Sequence, residues 1–82
     1  MCYVYILKCR DDSLYTGYTV DLEKRLLTHN KGKASKYTRG RLPVVLVYFE
    51  EFSNQSDALK REYAIKQMKR AKKLKMINGV VL

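Results

Sequence analysis

The chain has 82 residues, enough for one domain whose single small core buries about 60–65% of the unfolded surface. Seventeen Lys and Arg against eight Asp and Glu give a formal charge of +9, which favours a partner with a strong negative field, nucleic acid first. No apolar run approaches the roughly 18 residues of a membrane span and no signal-peptide pattern opens the chain, so one cytoplasmic, reduced domain over 1–82, with no membrane partner, is expected.

Residues 2–9 are rich in Tyr, Val and Ile and predict a strand; 13–19 predict a second, and "RDDS" between them is turn chemistry. Alternation puts Tyr3, Tyr5 and Leu7 on one face of the first strand and Val4 and Ile6 on the other. On the second strand Tyr15 and Gly17 share a face, and the glycine marks a close backbone approach or a bend. Cys2 and Cys9 have opposite parity and no metal-motif spacing, so neither a disulfide nor a zinc site is expected.

"VDLEKRLLTHNKG" predicts a short helix capped by Asp21, with Leu22 and Leu26 on its buried line and Arg25 and His29 as a stripe beside it. Residues 30–42 carry two Gly and five basic residues and predict a basic loop. The apolar run after Pro43 predicts a strand over 44–51, the central or best-buried one. Asn54 or Ser56 then caps a helix over about 55–68, and a basic helix over about 70–78 follows, with Leu74 and Ile77 inward and Gly79 as its stop. The order predicts an α+β fold, a small three-stranded, mostly antiparallel sheet flanked by about three helices.

On a helical wheel Glu62 falls inside the apolar arc of Ala58, Leu59 and Ile65. A carboxylate there costs several kcal/mol unless paired or metal-bound. The plain alternatives are a salt bridge, for instance to Arg25, or a side chain that reaches out at the helix rim. An i, i+4 basic pair such as Arg25 and His29 is usually just solvated, and strand tyrosines are usually packing. Together, however, two phenols, an Arg, a His and an inward Glu are the parts phosphodiester hydrolysis asks for: a base, positive charge for the phosphate oxygens, and stabilisation of the departing alkoxide. A lone carboxylate suits Mg²⁺ (or Mn²⁺), which keeps most of its coordination for water and phosphate. Lys60, Arg61, Lys66, Lys69, Arg70, Lys72, Lys73 and Lys75 form a basic surface that neutralises phosphates without reading sequence.

"YVY" at 3–5, "YTG" at 15–17, "DLEKRLLTH" at 21–29 and "ALKREYAIK" at 58–66 resemble the GIY-YIG nuclease superfamily over essentially the whole chain. The likeness is closest to its small stand-alone bacterial members, and "HNKGKASKYTRGRLPVVLVYFEEF" is similar to catalytic subunits of branched-DNA endonucleases. The resemblance implies Tyr5 and Tyr15 as motif tyrosines near the attacking water and the scissile phosphate, Tyr15 as base or water-positioning group, Gly17 as the motif glycine, Arg25 on the scissile phosphate, His29 orienting or activating the nucleophile, and Glu62 ligating one Mg²⁺ or Mn²⁺ ion. Tyr3 and Thr16 stand where the motif has glycine and isoleucine, and the only late asparagine is Asn78. The expected activity is a metal-dependent DNA endonuclease, a monomer acting on branched or damaged DNA through Lys36, Arg39, Arg41, Lys66, Lys69, Arg70 and Lys73. RNA stays open as substrate, as does a targeting protein partner. The alternatives are a nucleic-acid binding module with a vestigial site, and a protein-interaction domain.

Overall fold

The first strand, β1 (Cys2–Lys8), has apolar side chains on both faces and accordingly takes the middle of the sheet. In the computed structural model, which describes residues 1–79, the described residues form three strands and four helices. They run as β1, β2 (Leu14–Thr19), α1 (Leu22–Asn30), α2 (Lys36–Arg39), β3 (Val45–Phe52), α3 (Gln55–Lys66) and α4 (Arg70–Asn78). The strand order is β2-β1-β3, antiparallel throughout. Tyr5 lies opposite Gly17, and Leu7 opposite Tyr15. On the other side the register slips between Ile6 and Leu7, which face Tyr48 and Leu46, so Val47 is the extra residue of a bulge.

The two faces of β1 carry two cores. Cys2, Val4 and Ile6 pack against Ala58 and Ile65 of α3, with Tyr18, Met68, Met76 and Ile77 around them. Tyr5, Leu7, Cys9 and Val44 pack with Tyr15, Leu22, Leu26 and Leu42 on the other face, under α1. Cys2 and Cys9 are free thiols on opposite faces, as their parity requires. Asp21 caps α1 through a 3.0 Å bond from the Lys24 amide, and Asn54 caps α3 through a 2.9 Å bond from the Asp57 amide. Arg61 of α3 grips Glu50 of β3 with a fork of Nε–Oε1 2.9 Å and terminal N–Oε2 2.9 Å, and Tyr48 bonds the same carboxylate.

Four sequence expectations change. The run after Pro43 is an edge strand rather than the central one; Val45 and Phe49 stay about half exposed. Its length of apolar sequence reflects a strand half covered on each face, whereas β1, with Val4, Tyr5, Ile6 and Leu7 at 1% exposure or less, is the buried one. The basic loop contains a helix, α2, whose N-cap Ser35 accepts a 3.1 Å bond from the Tyr37 amide. There are thus four helices rather than three among the described residues. Leu59 lies outside the buried arc of α3, 41% exposed; Ala58 and Ile65 are the residues α3 buries against the sheet.

Candidate active site

Tyr5 and Gly17 sit side by side on neighbouring strands, and the glycine decides where the phenol goes. A Cβ at Gly17 would stand 2.4 Å from the Tyr5 hydroxyl and 2.5 Å from Cζ; its absence lets the ring lie flat across β2. The phenol tip then meets α1, whose i, i+4 spacing brings Arg25 and His29 down on the same side. Arg25 donates from Nε to the Tyr5 oxygen at 3.3 Å, and His29 Nε2 lies 2.8 Å from the same oxygen. Tyr15 closes the cluster with its ring, 5.2 Å from the His29 ring at 64°.

The sequence reading of α1 placed His29 at the border of the core; the structure buries it completely. Burial, helped by the Arg25 charge, lowers its pKa from 6.5 to about 4, so it is a neutral base at pH 7. Burial likewise raises the Tyr5 pKa above its ordinary 10, against the pull of Arg25. Tyr5 therefore carries its proton at neutral pH.

The part missed in the sequence is α2. Thr38 is fully buried and its hydroxyl meets His29 Nδ1 at 2.9 Å. Tyr37 stacks on Tyr15, with centroids 5.9 Å apart and planes 28° off parallel. Arg41 covers the Tyr37 ring at 4.2 Å and is itself held by Asp11 at 3.0 Å. Ser35 before a short polar stretch and Gly40 after it were the available signal, an N-cap and a stop.

Glu62 stands apart from this hydrogen-bonded cluster. It belongs to α3, on the sheet face opposite α1. Its side chain is 18% exposed and pairs with Lys66, Oε2 to Nζ 3.3 Å, rather than with Arg25. It is linked to the cluster through its charge, which raises the Tyr5 pKa. Among the described residues no three His, Cys, Asp or Glu converge as a metal cage. The donor set is one oxygen carboxylate, which fits a hydrated Mg²⁺ or Mn²⁺ and does not fit zinc.

Of the basic residues, Lys36, Arg39, Lys66, Lys69 and Arg70 are exposed, and Lys73 is half-buried. Arg41 is committed to Asp11, Tyr37 and the backbone, and so is a weaker phosphate ligand than its charge suggests. Arg70 and Lys73 line an open groove of about 210 Å³ with Ser13, Leu14 and Tyr37. Asn78 ends α4, exposed.

Residues 1–75 match the family described as GIY-YIG catalytic domain. This chain belongs to the GIY-YIG family. It is 63% identical over 75 residues to a UPF0213 protein of Staphylococcus haemolyticus, covering 92% of each chain. To a UPF0213 protein of Clostridium perfringens it is 60% identical over 79 residues, covering 96% of this chain and 85% of the relative. The solution NMR structure of a UPF0213 protein from Bacillus halodurans superposes with a TM-score of 0.61 at 46% identity, over 95% of this chain and 84% of that one. GIY-YIG membership makes the α+β architecture that of a nuclease catalytic domain, with nucleic acid as the implied ligand. No helix among the described residues is long and apolar enough to cross a membrane.

Proposed function

We propose that this GIY-YIG chain is a divalent-metal-dependent DNA endonuclease, one domain over 1–82 with Tyr5, Tyr15, Arg25, His29 and Glu62 as its site. The observation that carries the reading is the bonded chain Arg25–Tyr5–His29, in which a fixed cation, a phenol and a neutral imidazole meet at one oxygen. As a water attacks phosphorus, its proton passes to the Tyr5 oxygen while the Tyr5 proton passes to His29 Nε2; the new P–O bond forms, the bridging P–O bond breaks, and the leaving alkoxide takes a proton from solvent. Neither group has to ionise beforehand, which suits a phenol with a raised pKa. Arg25 touches Tyr5 through Nε and keeps its terminal nitrogens for the phosphate. Tyr15 positions the water, and Gly17 keeps the Tyr5 ring in place.

Glu62 would hold Mg²⁺ or Mn²⁺. A cation there supplies charge stabilisation to the phosphate and the leaving oxygen. The groove with Arg70 and Lys73 takes the strand on one side, and Lys36, Arg39, Lys66 and Lys69 add charge around it. Branched or damaged duplexes are the first substrates to try, with RNA as the comparison.

The test is cleavage of supercoiled and branched DNA with Mg²⁺ or Mn²⁺ by the parent and by Glu62→Gln. A loss of roughly 100-fold or more in the variant is expected; equal cleavage, or none by the parent, sinks the proposal. One observation favours a second reading, a binding module without catalysis: Lys66 already occupies Oε2 of Glu62. That reading predicts salt-sensitive binding, indifferent to metal and unchanged in Glu62→Gln.

A further inference from the structure

We infer that Thr38 is a positioning residue that fixes the tautomer of His29, leaving Nε2 unprotonated to accept the proton of Tyr5. The consequence for catalysis rests on the nuclease reading above; the tautomer itself does not.

The assignment follows from counting donors and acceptors around a ring with no access to water. His29 and Thr38 are both fully buried, and Tyr5 is 1% exposed. The Tyr5 oxygen accepts from Arg25 Nε at 3.3 Å, so its own hydrogen is free to point to His29 Nε2, 2.8 Å away. On the other side of the ring, the Thr38 hydroxyl donates to the Ser35 carbonyl at 3.4 Å, so its oxygen is free to accept from His29 Nδ1–H at 2.9 Å. One direction satisfies all four contacts: Arg25 to Tyr5 to His29, and His29 to Thr38 to Ser35. The reverse tautomer would aim two donors at the Tyr5 oxygen, turn the phenolic hydrogen away from His29, and turn the Thr38 hydroxyl away from Ser35.

Thr38 sets this direction on the Nδ1 side of the ring, because a hydroxyl committed to a backbone carbonyl can offer Nδ1 only a lone pair. The segment is placed for it: Ser35 is both N-cap of α2 and acceptor for Thr38, three residues on, so the turn that starts the helix also orients the hydroxyl. Tyr37, the neighbouring residue, packs on Tyr15. A four-residue helix outside the family's two tyrosine triplets thereby governs which nitrogen of His29 is basic toward the site.

The test uses the whole chain, ¹⁵N-labelled at histidine. His29 is the only histidine, so two-bond ¹H–¹⁵N spectra at pH 7 report it alone. In the parent, and in Thr38→Ser, Nε2 is expected at the unprotonated, pyridine-like position and Nδ1 at the protonated one. In Thr38→Val, which keeps shape and removes the hydroxyl, the two are expected to exchange, with cleavage falling about ten-fold or more while Thr38→Ser retains the parent rate. A protonated Nε2 in the parent overturns the inference, and so does an unchanged spectrum in a folded Thr38→Val. Should Thr38→Val not fold, the parent and Thr38→Ser spectra decide alone: both must show unprotonated Nε2. If the parent shows that tautomer yet cleaves no DNA, the nuclease reading falls and the tautomer assignment stands.

Discussion

Gly17 and the Tyr5 hydroxyl are fitted to each other so closely that a single methyl on Gly17 would come within 2.4 Å of the phenolic oxygen. The motif glycine is therefore a spacing device for its partner across the sheet, and its φ is not what demands it. Gly17→Ala has to push the Tyr5 ring off β2 and away from Arg25 and His29. We expect a cost of about 1–3 kcal/mol in urea unfolding, and about a 100-fold loss of cleavage, since a displacement near 1 Å has that effect on a positioned group. Parent-like activity in a folded Gly17→Ala would remove Tyr5 placement from the mechanism.

The buried neutral His29 makes stability depend on pH in a defined window. Between about pH 4, its folded value, and 6.5, its ordinary value, the unfolded chain binds a proton that the folded chain does not. Stability then rises with pH across that window and is lost as pH falls through it, by up to about 3 kcal/mol in all. Glu50, whose pKa is lowered because the Arg61 and Tyr48 hydrogen bonds outweigh its burial, adds its own acid loss only below the ordinary carboxylate range. Urea unfolding at pH 7 and pH 5 should separate the two. The parent loses stability over this interval, and His29→Gln loses much less.

Thr16 is 4% exposed and its hydroxyl has no partner among the described residues. An unpaired buried hydroxyl costs about 1–3 kcal/mol. Thr16→Val, which keeps the branched shape, should raise stability by about 1 kcal/mol. It should leave cleavage unaltered, since Thr16 faces away from Tyr15 and Gly17. A lower thermal midpoint would mean that the hydroxyl is satisfied in solution.

Arg70 and Lys73 form no ion pair among the described residues and share one groove. If each meets one phosphate, Arg70→Ala with Lys73→Ala lowers the slope of log K against log salt on duplex DNA by about 2. Arg41→Ala should change the slope less and stability more, because its guanidinium is held by Asp11 and Tyr37. Fluorescence anisotropy over a salt series checks both.

The hairpin, α1 with its Asp21 cap, and α3 with its Asn54 cap were legible because each rests on local chemistry: alternation, a capping side chain, a stop. The pairing of Arg25 with His29 was legible for the same reason, an i, i+4 spacing, whereas their meeting with Tyr5, 20 and 24 residues away, came only through the resemblance to the family. Which strand sits in the middle was not. Val45 to Phe49 are as apolar as β1, and only the pairing of β1 with both neighbours decides between them. Leu59 shows the limit of a wheel, which assumes a wide buried arc where α3 in fact buries a narrow line of Ala58 and Ile65, with Glu62 between them at 18% side-chain exposure. Thr38 was out of reach because a four-residue helix has too few turns to display a period.

The Glu50–Arg61 fork gains a second meaning from where the candidate site residues come in the chain. Tyr5, Tyr15, Arg25, His29 and Thr38 all precede β3, while Glu62 follows it on α3. The phenol–imidazole cluster and the Glu62 carboxylate are thus on separate pieces of chain, and Arg61 is next to Glu62 in the latch that holds the second piece to the sheet. Loosening that latch is expected to free α3, and Glu62 with it, without breaking a bond among Tyr5, Arg25 and His29.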